Sequence, residues 1–232
     1  MAMTSLNTAS ASRPVLARSR WIPIRPLSEI NRPDVLAHLL ALSPADRYLR
    51  FGYAASDSQI ERYVASLNFA RDDIAGVFNW KLELIAMTHV AYLGQEGGAS
   101  NLAEFGVSVA AHARGRGYGA RLFDHAVLRA RIRGVDTMII HALTENTAML
   151  RIARKAGATV ERDGSDSEAR LKLPPENFGT RLEALMADQA AEFDYSVKSQ
   201  AQFMQMLSSW MGADLAWPPR SLSETRESAT AE

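Results

Sequence analysis

The chain has 232 residues, 47% of them hydrophobic and 22% charged, with 26 basic side chains balanced by 26 acidic ones. Such a length fits one domain of ordinary size with an appendage, and such an apolar content supports a packed core. The neutral balance gives no global basic field for nucleic acid, the absence of cysteine excludes disulfides, thiolate metal sites and a cysteine nucleophile, and no apolar run nears the ~20 residues of a membrane span. A cytoplasmic protein with no nucleic-acid, membrane or metal partner is the expectation.

Residues 1–20 carry Arg13, Arg18 and Arg20, no acid and no continuous apolar segment. A secretory signal is therefore rejected and a disordered tail expected. Residues 21–27 read as a strand, with Pro23 and Pro26 confining it to a sheet edge. Asn31-Arg32-Pro33 opens a helix with Val35, Leu36, Leu39 and Leu40 on its apolar face. Ser43-Pro44-Ala45-Asp46 starts a second helix, with serine as N-cap and proline at the first helical position. Residues 56–67 form a third. Residues 74–80 and 82–93, rich in branched and aromatic side chains, predict a hairpin turning near 79–81, and a turn is expected at 94–101.

Residues 102–110 predict a strand, 117–133 a helix, 136–143 a strand and 146–156 a helix. A final hairpin is expected from 159–162 and 169–173. The order implies a mixed α/β sheet. After Pro174-Pro175 two helices are expected, at 178–193 and 197–211, the second carrying Met204, Met206 and Met211. The chain from 217 is polar and expected to be disordered. The division is thus a tail (1–20), a catalytic domain (21–175), a helical extension (176–216) and a second tail (217–232).

The segment 102–119 carries most of the functional information. A strand runs into Arg114-Gly115-Arg116-Gly117-Tyr118-Gly119, which opens a helix. N–H groups at a helix start are unpaired and sit at the positive end of its dipole, so they bind anions without a lysine. Glycine at 115, 117 and 119 lets the backbone come close to phosphate oxygens, and Arg114 and Arg116 add charge. By local pattern alone a glycine-capped turn is an equal alternative. No Gly-Lys-Ser/Thr follows, so this is not a P-loop, and Ala120 stands where a dinucleotide loop needs its third glycine.

Val107-Ser108-Val109, then Arg114-x-x-Gly117-x-Gly119, Leu122, Gly134, Asn146 and Lys155-Ala156-Gly157 together resemble the GNAT superfamily of N-acetyltransferases. The resemblance spans 21–175 and is specific between 104 and 157. Residues 43–51 are also similar to a segment of bacterial members that include protein-lysine acetyltransferases. It implies an α+β fold whose mostly antiparallel sheet is splayed at the cofactor strand. It also implies acetyl-CoA as cosubstrate and direct transfer to a primary amine of a small molecule or protein lysine. Val107, Ser108 and Val109 would pair with the pantetheine arm, the loop from Arg114 to Ala120 would cover the pyrophosphate, and Asn146 would bond the arm. Asn146 is equally a good N-cap in its own right.

Amine attack on a thioester needs a proton acceptor. Glu104 stands where protein-acetylating relatives carry a glutamate, and alternation places it on one face with Gly106 and Ser108; the plainer alternative is a solvated strand-end carboxylate. His141 is a second candidate base, titrating near ~6.5, although a lone histidine on an apolar strand is more often structural. The family's usual tyrosine acid is absent: its position is Ala153. That departure leaves open a non-catalytic acyl-CoA sensor. The acceptor side is expected to draw on Tyr48, Arg50, Phe51, Tyr53, Asp57, Glu61 and Tyr63, and a homodimer through the C-terminal helices is the expected assembly.

Overall fold

The computed structural model describes residues 22–93, 101–175 and 178–210. The expected tails at 1–20 and 217–232, Met211 and nearly all of the expected turn at 94–101 lie outside them. A seven-stranded sheet in the order β1-β2-β3-β4-β5-β7-β6 forms the frame. The first strand is shorter than expected: β1 is only Arg25–Pro26, paired with Gly76 and Ala75 of β2. Pro23 and Pro26 have no N–H to give to a ladder, so little of the segment can pair.

Three helices then cross one face. A single 3₁₀ turn, Glu29–Asn31, leads into α1 (Arg32–Leu40). Next comes α2 (Pro44–Phe51), where the Ser43 hydroxyl accepts from the Asp46 N–H at 3.2 Å and Gly52 ends the helix at φ 80°, a dihedral that glycine adopts without penalty. Third is α3 (Asp57–Ser66), where Ser56 and Gln59 cap each other's backbone in a capping box. The hairpin of β2 (Asp73–Phe78) and β3 (Leu84–Leu93) is antiparallel and continues into antiparallel β4 (Leu102–Val109). Then follow α4 (Tyr118–Ile132), β5 (Thr137–Leu143), α5 (Thr147–Lys155), and the hairpin β6 (Thr159–Asp163) and β7 (Asp166–Lys172). Strand β5 runs parallel to β4 and antiparallel to β7.

Strand alternation sends side chains to both faces of the sheet. On one face Phe105, Met138 and Ile140 pack under Phe123, Ala126 and Leu150 of α4 and α5. On the other, Ile74, Phe78 and Met87 pack under Val35, Leu39, Ile60 and Val64 of α1 and α3. The sheet is therefore covered on both faces.

The expected pair of C-terminal helices is corrected. One helix, α6, runs from Phe178 to Trp210 over 33 residues. No glycine or proline interrupts Asp194-Tyr195-Ser196, so nothing local forces a break. The expected break is instead a docking point. Tyr195 meets Phe78 edge-on at 5.2 Å with the Arg25 guanidinium 3.8 Å from its ring centre, and buried Lys198 bonds both Asp194 (2.6 Å) and the Phe78 carbonyl (3.1 Å).

Candidate active site

Strand β4 pairs with β3 along its whole length, from Leu102 to Val109, but with β5 only from Leu102↔Thr137 to Glu104↔Ile139. Beyond Glu104 the two strands part. A groove of about 490 Å³ occupies the opening, lined by Val107, Ser108 and Val109, by every residue of the loop from Arg114 to Ala120 except Arg116, and by Asn146. The expected residues of the cofactor side are thus brought together, Arg116 excepted.

The loop has the dihedrals its glycines allow. Gly115 sits at φ 75° and Gly117, the N-cap of α4, at φ 83°. A side chain there would be strained by its backbone even though it would meet only open space. The N–H groups of Tyr118, Gly119 and Ala120 have no carbonyl within their helix and carry its positive end. The two arginines differ. Arg116 is exposed, while Arg114 is ion-paired with the carboxylate of Asp46 on α2 and tethers that helix to the loop. Burial works to raise the Asp46 pKa, but the bonds from Arg114 and Ser43 outweigh it and hold the group below the usual carboxylate range. Asn146 caps α5, accepting from the Met149 N–H at 3.2 Å, while its amide reaches the Leu49 carbonyl of α2 at 3.5 Å.

The Ser108 hydroxyl already has a partner. It lies 2.8 Å from His38 Nε2, and His38 Nδ1 lies 2.9 Å from the Leu84 carbonyl. A carbonyl only accepts, so Nδ1 carries the proton and Nε2 receives that of Ser108. Burial lowers the His38 pKa to about 4, more than the Leu84 carbonyl can raise it. Below the unfolded pKa of ~6.5 the unfolded chain takes up a proton that the folded chain refuses, so stability falls as pH drops from 6.5 towards 4. The loss from this one group is about 3 kcal/mol, at ~1.4 kcal/mol per pH unit. A urea midpoint that falls from pH 7 to 4.5, and falls less in His38→Gln, is the expected result; equal falls would remove His38 from the effect.

A second cleft, of about 640 Å³, opens on the same face and meets the groove at Leu49, Arg50, Val107, Asn146 and Met149. Both candidate bases line it. Glu104 is exposed there, and His141 stands on β5 with its side chain 59% exposed and Nδ1 3.9 Å from the Glu168 carboxylate. Of the expected acceptor-side residues, Arg50, Phe51 and Tyr63 line the cleft. Asp57 does not: it pairs with Arg47 at 2.6 Å. Tyr48, Tyr53 and Glu61 also stand outside the lining. The acidic character comes instead from Glu104 and the last hairpin, whose Glu161, Asp163, Asp166 and Glu168 face three guanidiniums, those of Arg50, Arg162 and Arg170. The hairpin itself was expected from the sequence, but none of its carboxylates was singled out, although its run Glu161-Arg162-Asp163-Gly164-Ser165-Asp166-Ser167-Glu168 is conspicuously charged. Ala153, at the position of the family's usual acid, is fully buried in the α5 core. Among the described residues no three His, Asp or Glu side chains are grouped to hold a metal ion, and no helix is long and apolar enough to cross a membrane.

Solved N-acetyltransferases share this sheet. The structure matches the GNAT domain of PAT from S. lividans (22% identity, 65% of this chain and 89% of that one, TM-score 0.55). It matches an acetyltransferase of the GNAT family from Streptococcus pneumoniae (13%, 65% and 98%, 0.51), and a phosphinothricin acetyltransferase from Sinorhizobium meliloti in complex with AcCoA (12%, 68% and 91%, 0.53). At such identities the likeness is one of fold. The model of the acetyltransferase (GNAT) domain matches residues 22–159, more than half of the sequence, and the chain belongs to that family. At the level of the family the activity is transfer of an acyl group from an acyl-CoA to an amine. No curated protein matches the sequence significantly.

Proposed function

We propose that the chain is an acetyl-CoA-dependent N-acetyltransferase acting by direct transfer on a primary amine that arrives as a cation, in a small molecule or a protein lysine. The observation that carries this is the meeting of the two clefts at the unpaired edge of β4, beside Val107 and Asn146. Acetyl-CoA supplies the acetyl group as a thioester. The N–H groups of the loop from Gly115 to Ala120 hold its pyrophosphate, with Arg114 and Arg116 alongside, and the backbone of Val107, Ser108 and Val109 pairs with its arm, assisted by the Asn146 amide. The carboxylates of the β6–β7 hairpin draw the acceptor's ammonium into the cleft. Glu104 takes a proton from the amine; His141, on the rim beside Glu168, is the second candidate for that step. Residues 21–175 form the transferase unit and α6 its extension.

Thiol release against a panel of amines and lysine peptides tests this. Glu104→Gln is expected to lower turnover on the order of 10²-fold with acetyl-CoA affinity unchanged, and unchanged turnover would remove Glu104 from the base role. The buried Ala153 favours one other reading, an acyl-CoA sensor; binding without thiol release on any acceptor would select it. Exposed Phe193, Phe203 and Met204 on α6 support pairing of two copies, which a sedimentation mass of one chain would disprove.

A further inference from the structure

Converting an ammonium to an amide removes two protons from nitrogen, and Glu104 accounts for one. A second acceptor is built into the same cleft. Arg50 Nη2 lies 2.9 Å from the hydroxyl of Tyr63, that hydroxyl lies 2.8 Å from His89 Nδ1, and His89 Nε2 lies 2.9 Å from Asp72 Oδ2. The polarity of the chain is fixed from both ends. Arg50 only donates, so the Tyr63 oxygen accepts from it. The Asp72 carboxylate only accepts, so His89 Nε2 carries the proton and Nδ1 presents a lone pair. The Tyr63 O–H must then point at His89. Asp72 is held in place by two bonds from Arg71, at 2.7 and 3.0 Å, and its side chain is 1% exposed. The row crosses three elements: α3 gives Tyr63, β3 gives His89, and the turn before β2 gives Asp72.

The position relative to the reaction comes from the sheet. His89 faces Gly106 across the β3–β4 ladder, two residues along from Ala91↔Glu104, so His89, Gly106 and Glu104 share one face. The Arg50 guanidinium lies flat against Gly106; a Cβ there would stand 2.6–2.9 Å from its atoms. Tyr63 and Glu104 both line the acceptor cleft. The charged and titratable groups that face the imidazole are Tyr63, Asp72, Arg50 and Glu104. Burial lowers its pKa more than the Asp72 carboxylate raises it, so the resting ring is neutral at pH 7.

We propose that Tyr63 is a catalytic residue that takes the first proton from the acceptor's ammonium, and that His89 and Asp72 are positioning residues that store it. This rests on the acetyl-transfer reading above. As the Tyr63 oxygen receives the proton, its own hydroxyl proton passes to His89 Nδ1, and the imidazolium is stabilised by the Asp72 carboxylate. The nitrogen lone pair so freed attacks the acetyl carbon. The C–N bond forms and Glu104 takes the second proton. The C–S bond breaks, its electron pair leaves with sulfur, and the thiolate takes, through water, the proton held by Glu104. The proton on His89 returns to solvent through Tyr63. One ammonium and one thioester thus yield one amide, one thiol and one proton. Arg50 and His89 both bond the Tyr63 oxygen and Asp72 backs His89, so every polar group of this partly buried row is paired where an unpaired one would be costly.

The test is thiol release by the full chain with the best amine of the panel, from pH 7 to about pH 9.5, for wild type, Tyr63→Phe, His89→Gln and the double variant. Tyr63→Phe is expected to lose on the order of 10²-fold in turnover at pH 7, with acetyl-CoA affinity within twofold. The deficit should shrink as pH rises and more of the acceptor, with a pKa near ~10.4 for a lysine, is neutral before it binds. The double variant should be no slower than the slower single one, because the groups act as a unit. Imidazole ¹⁵N NMR gives a readout independent of activity: His89 should be protonated at Nε2 and bare at Nδ1. Turnover of Tyr63→Phe within twofold of wild type, a loss that does not shrink with pH, or an Nδ1–H tautomer would each overturn the relay while wild-type thiol release stood. No thiol release from the wild-type chain on any acceptor would instead overturn the acetyl-transfer reading, and the relay with it.

Discussion

Replacing Phe123 with alanine is expected to destabilise the chain by about 3–5 kcal/mol, a large part of the 5–15 kcal/mol that holds a typical domain together. Phe123 is 1% exposed and meets Phe105, 2% exposed, edge to face at a centroid distance of 5.0 Å and an angle of 83°. The cost has two parts: the transfer free energy of the lost ring, and the cavity left among Ala126, Met138 and Leu150, which the sheet cannot collapse to fill. The contact also joins the first turns of α4 to β4, the two elements that make the cofactor groove. The urea midpoint measures the first effect, and acetyl-CoA titration of the fraction still folded measures the second. A loss below ~1 kcal/mol would mean the site repacks, and that this pair does not hold the helix to the strand.

The second large effect falls on the loop. Gly117 is the N-cap of α4 at φ 83°, and nothing stands within 4 Å of a Cβ built on it. Gly117→Val therefore meets no steric barrier from neighbours, and its cost is in the backbone. A branched residue at such a φ is an outlier costing on the order of 1–3 kcal/mol, which the chain can avoid only by turning the peptide. Turning it moves the N–H groups of Tyr118, Gly119 and Ala120 away from the groove. Acetyl-CoA affinity is expected to fall at least tenfold while the thermal midpoint falls by only a few degrees. Unchanged affinity by calorimetry would place the pyrophosphate elsewhere.

Features set by neighbours in sequence were legible. Ser43 and Asn146 announce their helices because an N-cap needs only its own side chain and the next turn, and both cap as expected. The positive-φ glycines of the loop are of the same kind. Local pattern said only that an anion could bind there; resemblance over 104–157 named the anion. Features set by partners distant in sequence were not legible. Nothing in residues 194–196 distinguishes one helix from two, since the outcome turns on Tyr195 meeting Phe78 more than a hundred residues away. Asp57 looked available for an acceptor but is taken by Arg47 ten residues earlier. The hairpin carboxylates enter the cleft because β7 pairs with β5, and Tyr63, His89 and Asp72 meet because α3 lies across the β2–β3 hairpin. His89 carried no motif. Only the register that sets it opposite Gly106 gives it a place.

The central claim is that the opening between β4 and β5 is a coenzyme A site, and a thermal melt with three ligands tests it most directly. Acetyl-CoA at a hundred times its dissociation constant should stabilise the folded chain by about 2.7 kcal/mol and raise the midpoint by several degrees, while ATP and NAD at equal concentration leave it unmoved. A midpoint that no coenzyme A ester shifts, or one that ATP or NAD raises as far, would contradict the account.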